Sequence, residues 1–303
     1  MEDLHQLPKF RDCLSYLYLE HCRVDQHEKS IAAHDVNGMT PVPAASLSVL
    51  LLGPGVSVTH AAVLALADNN CLVVWCGEQG VRFYAHGMGG TRSARALLHQ
   101  AGLVSDAARR MDVVRRMYEV RFSEPLPDRD MSIEQLRGLE GARVRNAYAA
   151  ASREHGVPWT GRNYNRSQWD AADPVNRALS AANAALYGIC HAAILSLGYS
   201  PALGFIHTGK QLSFVYDVAD LYKTEISIPV AFEAAKEGLK DVERRVRLRC
   251  RDRFREARLL PRIVYDLQKL LGQPPDEEFA PDSDPALPTP LWSPGDTPGA
   301  KEG

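Results

Sequence analysis

The chain reads as an α+β protein. A small N-terminal β-sheet domain, β-sandwich-like, is expected over residues 1–88, a larger all-α-helical domain over 89–272, and a flexible Pro- and acid-rich tail over 273–303. Three observations predict this. Between residues 16 and 84, short apolar runs are bounded by turn residues. After Gly87 the composition changes to Ala, Leu, Arg and Met at helical spacing. From Gln273 onward, Pro, Asp and Gly displace the apolar residues that a core requires.

In chain order, YLYLEHCRVDQ alternates as a strand does, KSIAAHD follows, and Asn37-Gly38 is a hairpin signal. LSVLLLGPG is a buried-strand run ending in a turn, residues 58–68 have helical spacing, and CLVVWC and GVRFYA are two further strands. Residues 93–122 form a helical stretch that Pro125 and Pro127 terminate. Ser132 starts the next helix, which stops at Gly156. Asp173-Pro174 then opens a long Ala-rich helix, after which come the stretch from 204 to 230, an Arg-rich helix and a last helix, LLPRIVYDLQKLLG.

With 303 residues, 45% hydrophobic and 24% charged, the chain has the composition of an ordinary globular protein. The N-terminal MEDLHQLPKF lacks the apolar segment of a signal peptide, and residues 44–67 are interrupted by Gly53-Pro54-Gly55, so a cytoplasmic protein with no membrane role is expected. Six scattered cysteines without a CxxC pair fit packed thiols better than a zinc ribbon or a disulfide framework. The net charge of −2 hides an uneven distribution. Seven acidic residues and one lysine after position 272 give that tail −6, which leaves +4 for the rest. Eight arginines fall between Arg244 and Arg258, and five between Arg109 and Arg121. Such clusters suit phosphates, or else form helix faces laced with acidic partners.

The most informative stretch is GFIHTGKQLSFVYDVADLYKTEISIPV, residues 204–230. On one continuous helix His207 and Asp217 would lie roughly 15 Å apart, too far to share a metal. A turn is therefore expected at Gly209, with Ser213 as N-cap of a helix over 214–224. Asp217 and Asp220, three apart on that helix, could lean toward His207. Glu140 is the candidate third ligand. It sits between Gly138 and Gly141, two helix-interior glycines that each cost about 1 kcal/mol relative to Ala and suggest a close approach. A Glu, His and Asp set suits Mg2+ or Mn2+. Spacing alone also accommodates three surface residues with no shared role. GPGVSVTH lacks a Walker lysine and reads as a turn before a helix. The loop 159–169 interleaves Arg162, Tyr164, Arg166 and Trp169, a mixture suited to splayed bases and phosphates or to simple packing.

GFIHTGKQLSFVYDVADLYK, QLRGLEGARVR, LVVWCGEQGVRFYA and WTGRNYN together closely resemble the integrase subunit of CRISPR adaptation, in its subtype I-E form. The similarity runs over residues 8–272. It implies a homodimer that assembles, as two dimers, around a dimer of a small ferredoxin-like CRISPR-associated partner protein. It also implies metal-dependent joining of protospacer DNA 3′-hydroxyl ends to phosphodiesters of CRISPR repeat DNA. A metal-dependent nuclease acting on branched DNA, or a non-catalytic DNA scaffold, are the alternatives.

By position, the resemblance assigns the metal to Glu140, His207 and Asp217 and a further catalytic acid to Asp220. It places Lys210, Lys223, Tyr164, Trp169, Tyr187, Tyr216, Arg82, Arg137, Arg145, Arg162, Arg247 and Arg251 on or near double-stranded DNA with 3′ single-stranded ends. Where related members wedge the duplex end with a tyrosine, this chain has His21, whose ring offers less area for stacking.

Overall fold

The structure, a computed structural model, describes residues 16–47, 49–69, 71–77, 83–87, 94–128, 130–162 and 173–272. The tail and the expected DNA-contacting Arg82, Tyr164 and Trp169 lie outside them.

The N-terminal part contains two four-stranded sheets. Strands β1 (Tyr16–Leu19), β5 (Val49–Leu52), β7 (Leu72–Cys76) and β8 (Phe83–His86) form the first in that order, with β1, β5 and β7 parallel and β8 antiparallel. Strands β4 (Gly38–Val42), β3 (Ser30–Asp35), β2 (Arg23–His27) and β6 (Ser57–Val58) form the second. Helix α1 (His60–Asp68) completes the layer, and Val24, Ile31, Leu50, Leu52, Ala62 and Leu66 from both sheets and the helix share one core. Thr59 caps α1, accepting from the Ala62 amide and donating to Asp25. The hairpin pairs Asp35 with Gly38, so its turn falls one residue earlier than the Asn-Gly signal places it.

The C-terminal part is helical: α2 (Arg95–Ser105), α3 (Ala107–Phe122), α4 (Ile133–His155), α5 (Pro174–Ser196), α6 (Ser213–Ala219), α7 (Ile228–Ala235), α8 (Val242–Glu256) and α9 (Leu259–Leu271). The helical stretch expected over 93–122 is two helices. Asp106 leaves helical geometry, and its carboxylate caps the second by accepting from the Arg109 amide. A Ser132/Gln135 capping box opens α4, and left-handed Gly156 closes it.

Helix α5 lies at the centre. It is long and apolar enough to cross a membrane by length and composition, but most of that window is buried inside the protein. Its apolar character has a packing cause. One side meets the helical core, while Ala192 and Leu195 pack on the outer face of the first sheet, against Val49, Leu72 and Val74. The five described cysteines are buried, and burial pushes the Cys250 thiol up to about 12.

Candidate active site

The stretch 204–230 folds back on itself. Gly209 adopts a left-handed φ of +81°, which supplies the turn, and a Cβ on Gly204 would stand 2.3 Å from the His207 carbonyl oxygen, so the loop closes only with glycine there. Ser213 is not an N-cap. Its hydroxyl donates to the Lys210 carbonyl and accepts from the Lys210 amide, tying the turn to the first residue of α6. The expected helix to 224 stops at Ala219, and a single π turn, Lys223–Ser227, leads into α7. Such insertions re-aim side chains and occur often at functional sites.

Asp217 and Asp220 consequently have different surroundings. The Asp217 side chain is 0% exposed. Its Oδ2 accepts from the amides of Phe205 (2.6 Å) and Ile206 (3.0 Å), and its Oδ1 from the His207 amide (2.9 Å) and His207 Nδ1 (2.7 Å). Four donors occupy the carboxylate. The geometry therefore argues against Asp217 as a metal ligand and makes it the group that shapes the loop and orients the imidazole. With Nδ1–H donated to Asp217, Nε2 keeps its lone pair on a ring whose side chain is 44% exposed.

Asp220, at the end of α6, instead faces cations: Lys223 Nζ at 2.5 Å and Arg121 Nη2 at 3.6 Å. Burial alone would raise its carboxyl, but Lys223 and Arg121 more than offset this and hold it below the usual range. Burial likewise disfavours the Lys223 ammonium, yet Asp220 and Tyr187 outweigh it and raise its pKa. Glu140, on α4, lies 3.8 Å from Arg121 Nη1 and 3.9 Å from Arg143 Nε. Burial pushes its carboxyl up against the pull of both arginines, and its buried Oε2 has no hydrogen-bond partner among the described residues.

Among the described residues, no three His, Cys, Asp or Glu side chains stand close enough together to form a ready metal cage. The donor set nevertheless fits a hard divalent cation. A buried Glu140 oxygen without a hydrogen-bond partner among the described residues, an Asp220 carboxylate kept ionised by Lys223 and Arg121, and the His207 nitrogen that Asp217 does not engage are donor types that suit such an ion.

Around this cluster, the Tyr216 ring lies 5.9 Å from His207 and 5.1 Å from Tyr187, and Lys223 Nζ sits 5.1 Å from the Tyr187 centroid. Lys210 is exposed on the turn. Arg137 and Arg145 are exposed on α4. Among the described residues nothing approaches a Cβ on Gly138 within 4 Å and one on Gly141 meets Arg145, so no described element supplies the close approach expected there.

Three expected DNA contacts lie elsewhere. Arg162 is bound to Asn176 and Ser180 of α5. Arg247 is half-buried on α8, where exposed Arg251 pairs with its neighbour Asp252. Other arginines of α8 are laced to acids, Arg249 to Glu233 and Glu237 and Arg253 to Glu256. His21 has φ +50° in the β1–β2 turn, donates its amide to Pro54 and packs against Gly55.

Sequence reasoning missed Arg110, Arg121 and Arg143. Arg110 donates to the Gly204 and Phe205 carbonyls, bracing the His207 loop. Arg143 joins the Arg121 carbonyl to Thr224 on the π turn. Arginine clustering in the sequence was a signal, but not one that separates structural from surface roles.

A β layer fused to a helical domain, with Glu140 and Asp220 on either side of buried Arg121 and the His207 ring presented by its loop, is an arrangement of the class that phosphodiester-cleaving enzymes use. The sequence pattern of the family described as CRISPR associated protein Cas1 matches residues 120–248. The CRISPR-associated endonuclease Cas1 2 of Thermus thermophilus is 56% identical over 96% of this chain and 90% of that protein. The CRISPR-associated endonuclease Cas1 of Geobacter sulfurreducens is 49% identical over 86% of each. The crystal structure of a TtCas1-DNA complex superposes with a TM-score of 0.77 at 56% identity, covering 88% of this chain and 99% of that one. The chain belongs to the Cas1 family of CRISPR-associated endonucleases.

Proposed function

We propose that the chain is the integrase of CRISPR spacer acquisition, of the subtype I-E kind, joining protospacer 3′-hydroxyl ends to phosphodiesters at the CRISPR repeat. The observation that carries this is the division of labour between two aspartates: Asp217 saturated by the loop that presents His207, and Asp220 facing the Glu140 cluster. Glu140, His207 and Asp220 are thus the proposed ligands, with Asp220 in the place first expected for Asp217. These residues would hold Mg2+ or Mn2+, which would supply positive charge to stabilise the developing charge of the transition state.

The remaining chemistry belongs to the chain and to DNA. The nucleophile is the DNA 3′-hydroxyl. A P–O bond forms as another breaks, and the displaced 3′-oxygen takes up a proton, so no nucleotide hydrolysis is needed. Lys210 and Lys223 hold phosphates in line, Tyr187 and Tyr216 border the path, and Arg137 and Arg145 flank a bare glycine face on α4 along which a DNA backbone can lie. The DNA-bound Thermus relative, superposing over most of its length, supports a DNA substrate here. Homodimerisation and docking on a small ferredoxin-like partner belong to the same reading, as does DNA contact by His21.

The test incubates the protein and its small partner with labelled protospacer and a CRISPR plasmid, in Mg2+ and in EDTA. Joined products are expected in Mg2+ alone, and His207→Ala should abolish joining while retaining duplex binding. Joining in EDTA or by the variant would overturn the metal-site assignment. The relatives' designation as endonucleases favours a second reading, hydrolysis of branched DNA, which cut but unjoined products would support.

A further inference from the structure

Arg121 ends up in the wrong place for a surface charge. It lies in the last turn of α3, is 4% exposed, and stacks its guanidinium 5.1 Å from the Tyr118 ring. A cation at that depth costs several kcal/mol unless anions oppose it. Two do. Nη1 is 3.8 Å from Glu140 on α4 and Nη2 is 3.6 Å from Asp220 after α6, while Nη2 also donates to the Asp217 carbonyl at 3.2 Å. The distances to the carboxylates exceed a direct hydrogen bond, and Nε makes none among the described residues. The guanidinium thus sits between the two acids as a charge, without forking onto either. Arg143 reaches Glu140 and Lys223 reaches Asp220, but Arg121 spans both.

We propose that Arg121 is the resident counter-cation of the acidic pair, holding Glu140 and Asp220 together and compensated before any divalent ion arrives. Ion binding then exchanges partners within an assembled cluster, instead of forcing two repelling carboxylates into one buried space. This rests on the reading of Glu140 and Asp220 as ligands. Arg121 is a positioning residue, since it reaches the chemistry only through the two acids.

The experiment compares melting temperatures in EDTA and in Mn2+ for the full-length wild type, Arg121→Met, Arg121→Lys, and Arg121→Met combined with Glu140→Gln and Asp220→Asn. In EDTA, Arg121→Met should lower Tm by on the order of 5–10 °C, because it strands two buried anions. Arg121→Lys should restore part of this, and neutralising both acids should restore most of it. Mn2+ should raise Tm more for Arg121→Met than for wild type. A triple variant no more stable than Arg121→Met would overturn the proposal, since the loss would then be one of packing, as would an equal Mn2+ shift in both proteins. If Mn2+ shifts neither protein, the ligand assignment fails instead, while the EDTA comparison still decides the role of Arg121. Should Arg121→Met not fold, recovery of folding by the Lys and triple variants decides the question in the same sense.

Discussion

Nδ1 of His207 stands 2.7 Å from Oδ1 of Asp217, and the same carboxylate accepts the main-chain amides of residues 205, 206 and 207. One side chain therefore sets the backbone path, the tautomer and the outward direction of the imidazole. Asp220, three residues on, makes its ion pairs with Arg121 and Lys223 instead.

This separates the two aspartates by experiment. Asp217→Asn replaces an acceptor saturated by four donors with an amide that can satisfy fewer of them. It should cost about 3 kcal/mol or more and lower the melting temperature together with joining. Asp220→Asn leaves buried Arg121 opposed by Glu140 alone, so it should lower Tm in EDTA while keeping the His207 loop intact, and it should abolish the Mn2+-induced rise in Tm. Thermal melts with and without Mn2+ read both; a stable Asp217→Asn protein that has lost only its metal response would return Asp217 to the ligand set.

Gly138 offers a test of the DNA path. A Cβ there meets nothing within 4 Å, so Gly138→Ala should stabilise α4 by up to about 1 kcal/mol. If DNA lies against this face, the stabilised variant should join protospacer ends more slowly and bind duplex more weakly. A variant that is more stable and joins at the wild-type rate would remove the α4 face from the path.

His191 links α5 to the β layer, with its ring stacked 3.7 Å from Phe83 and its Nε2 buried without a hydrogen-bond partner among the described residues. Burial, with a smaller contribution from His86, lowers its pKa to about 4. Above pH 6.5 the ring is neutral in both folded and unfolded chains, so it adds no pH dependence. Below that, the unfolded chain takes up a proton that the folded one refuses. Stability should therefore fall between about pH 6.5 and 4, by roughly 3 kcal/mol from this group. Denaturant titrations across that window should show a shallower fall for His191→Gln; an unchanged slope would show that the ring protonates freely in the folded protein.

Much of the architecture was legible in local signals. Ser132 with Gln135, Asp173 with Pro174, and Thr59 each start a helix because the cap is formed by neighbours in sequence. The break at Asp106 was missed because apolar spacing continues across it and only the cap geometry separates the two helices. The parallel pairing of β1, β5 and β7 was also hidden, since parallel partners are distant in sequence and no turn signal marks them.

The sequence by itself determined the β-to-α change near Gly87 and several helix starts, and it offered residue types that suit a hard cation: Glu140, His207 and the two aspartates. Tertiary structure decided their roles. Asp217 and Asp220 are chemically identical, and only the return of the 204–207 loop onto one of them and the arrival of α3 beside the other assign a scaffold role to the first and a charged site to the second. The cause is the same for the arginines. Whether Arg110, Arg121 or Arg249 faces a carbonyl, a carboxylate pair or solvent depends on helices far apart in sequence, and hydrogen bonds and charges act over only a few ångströms.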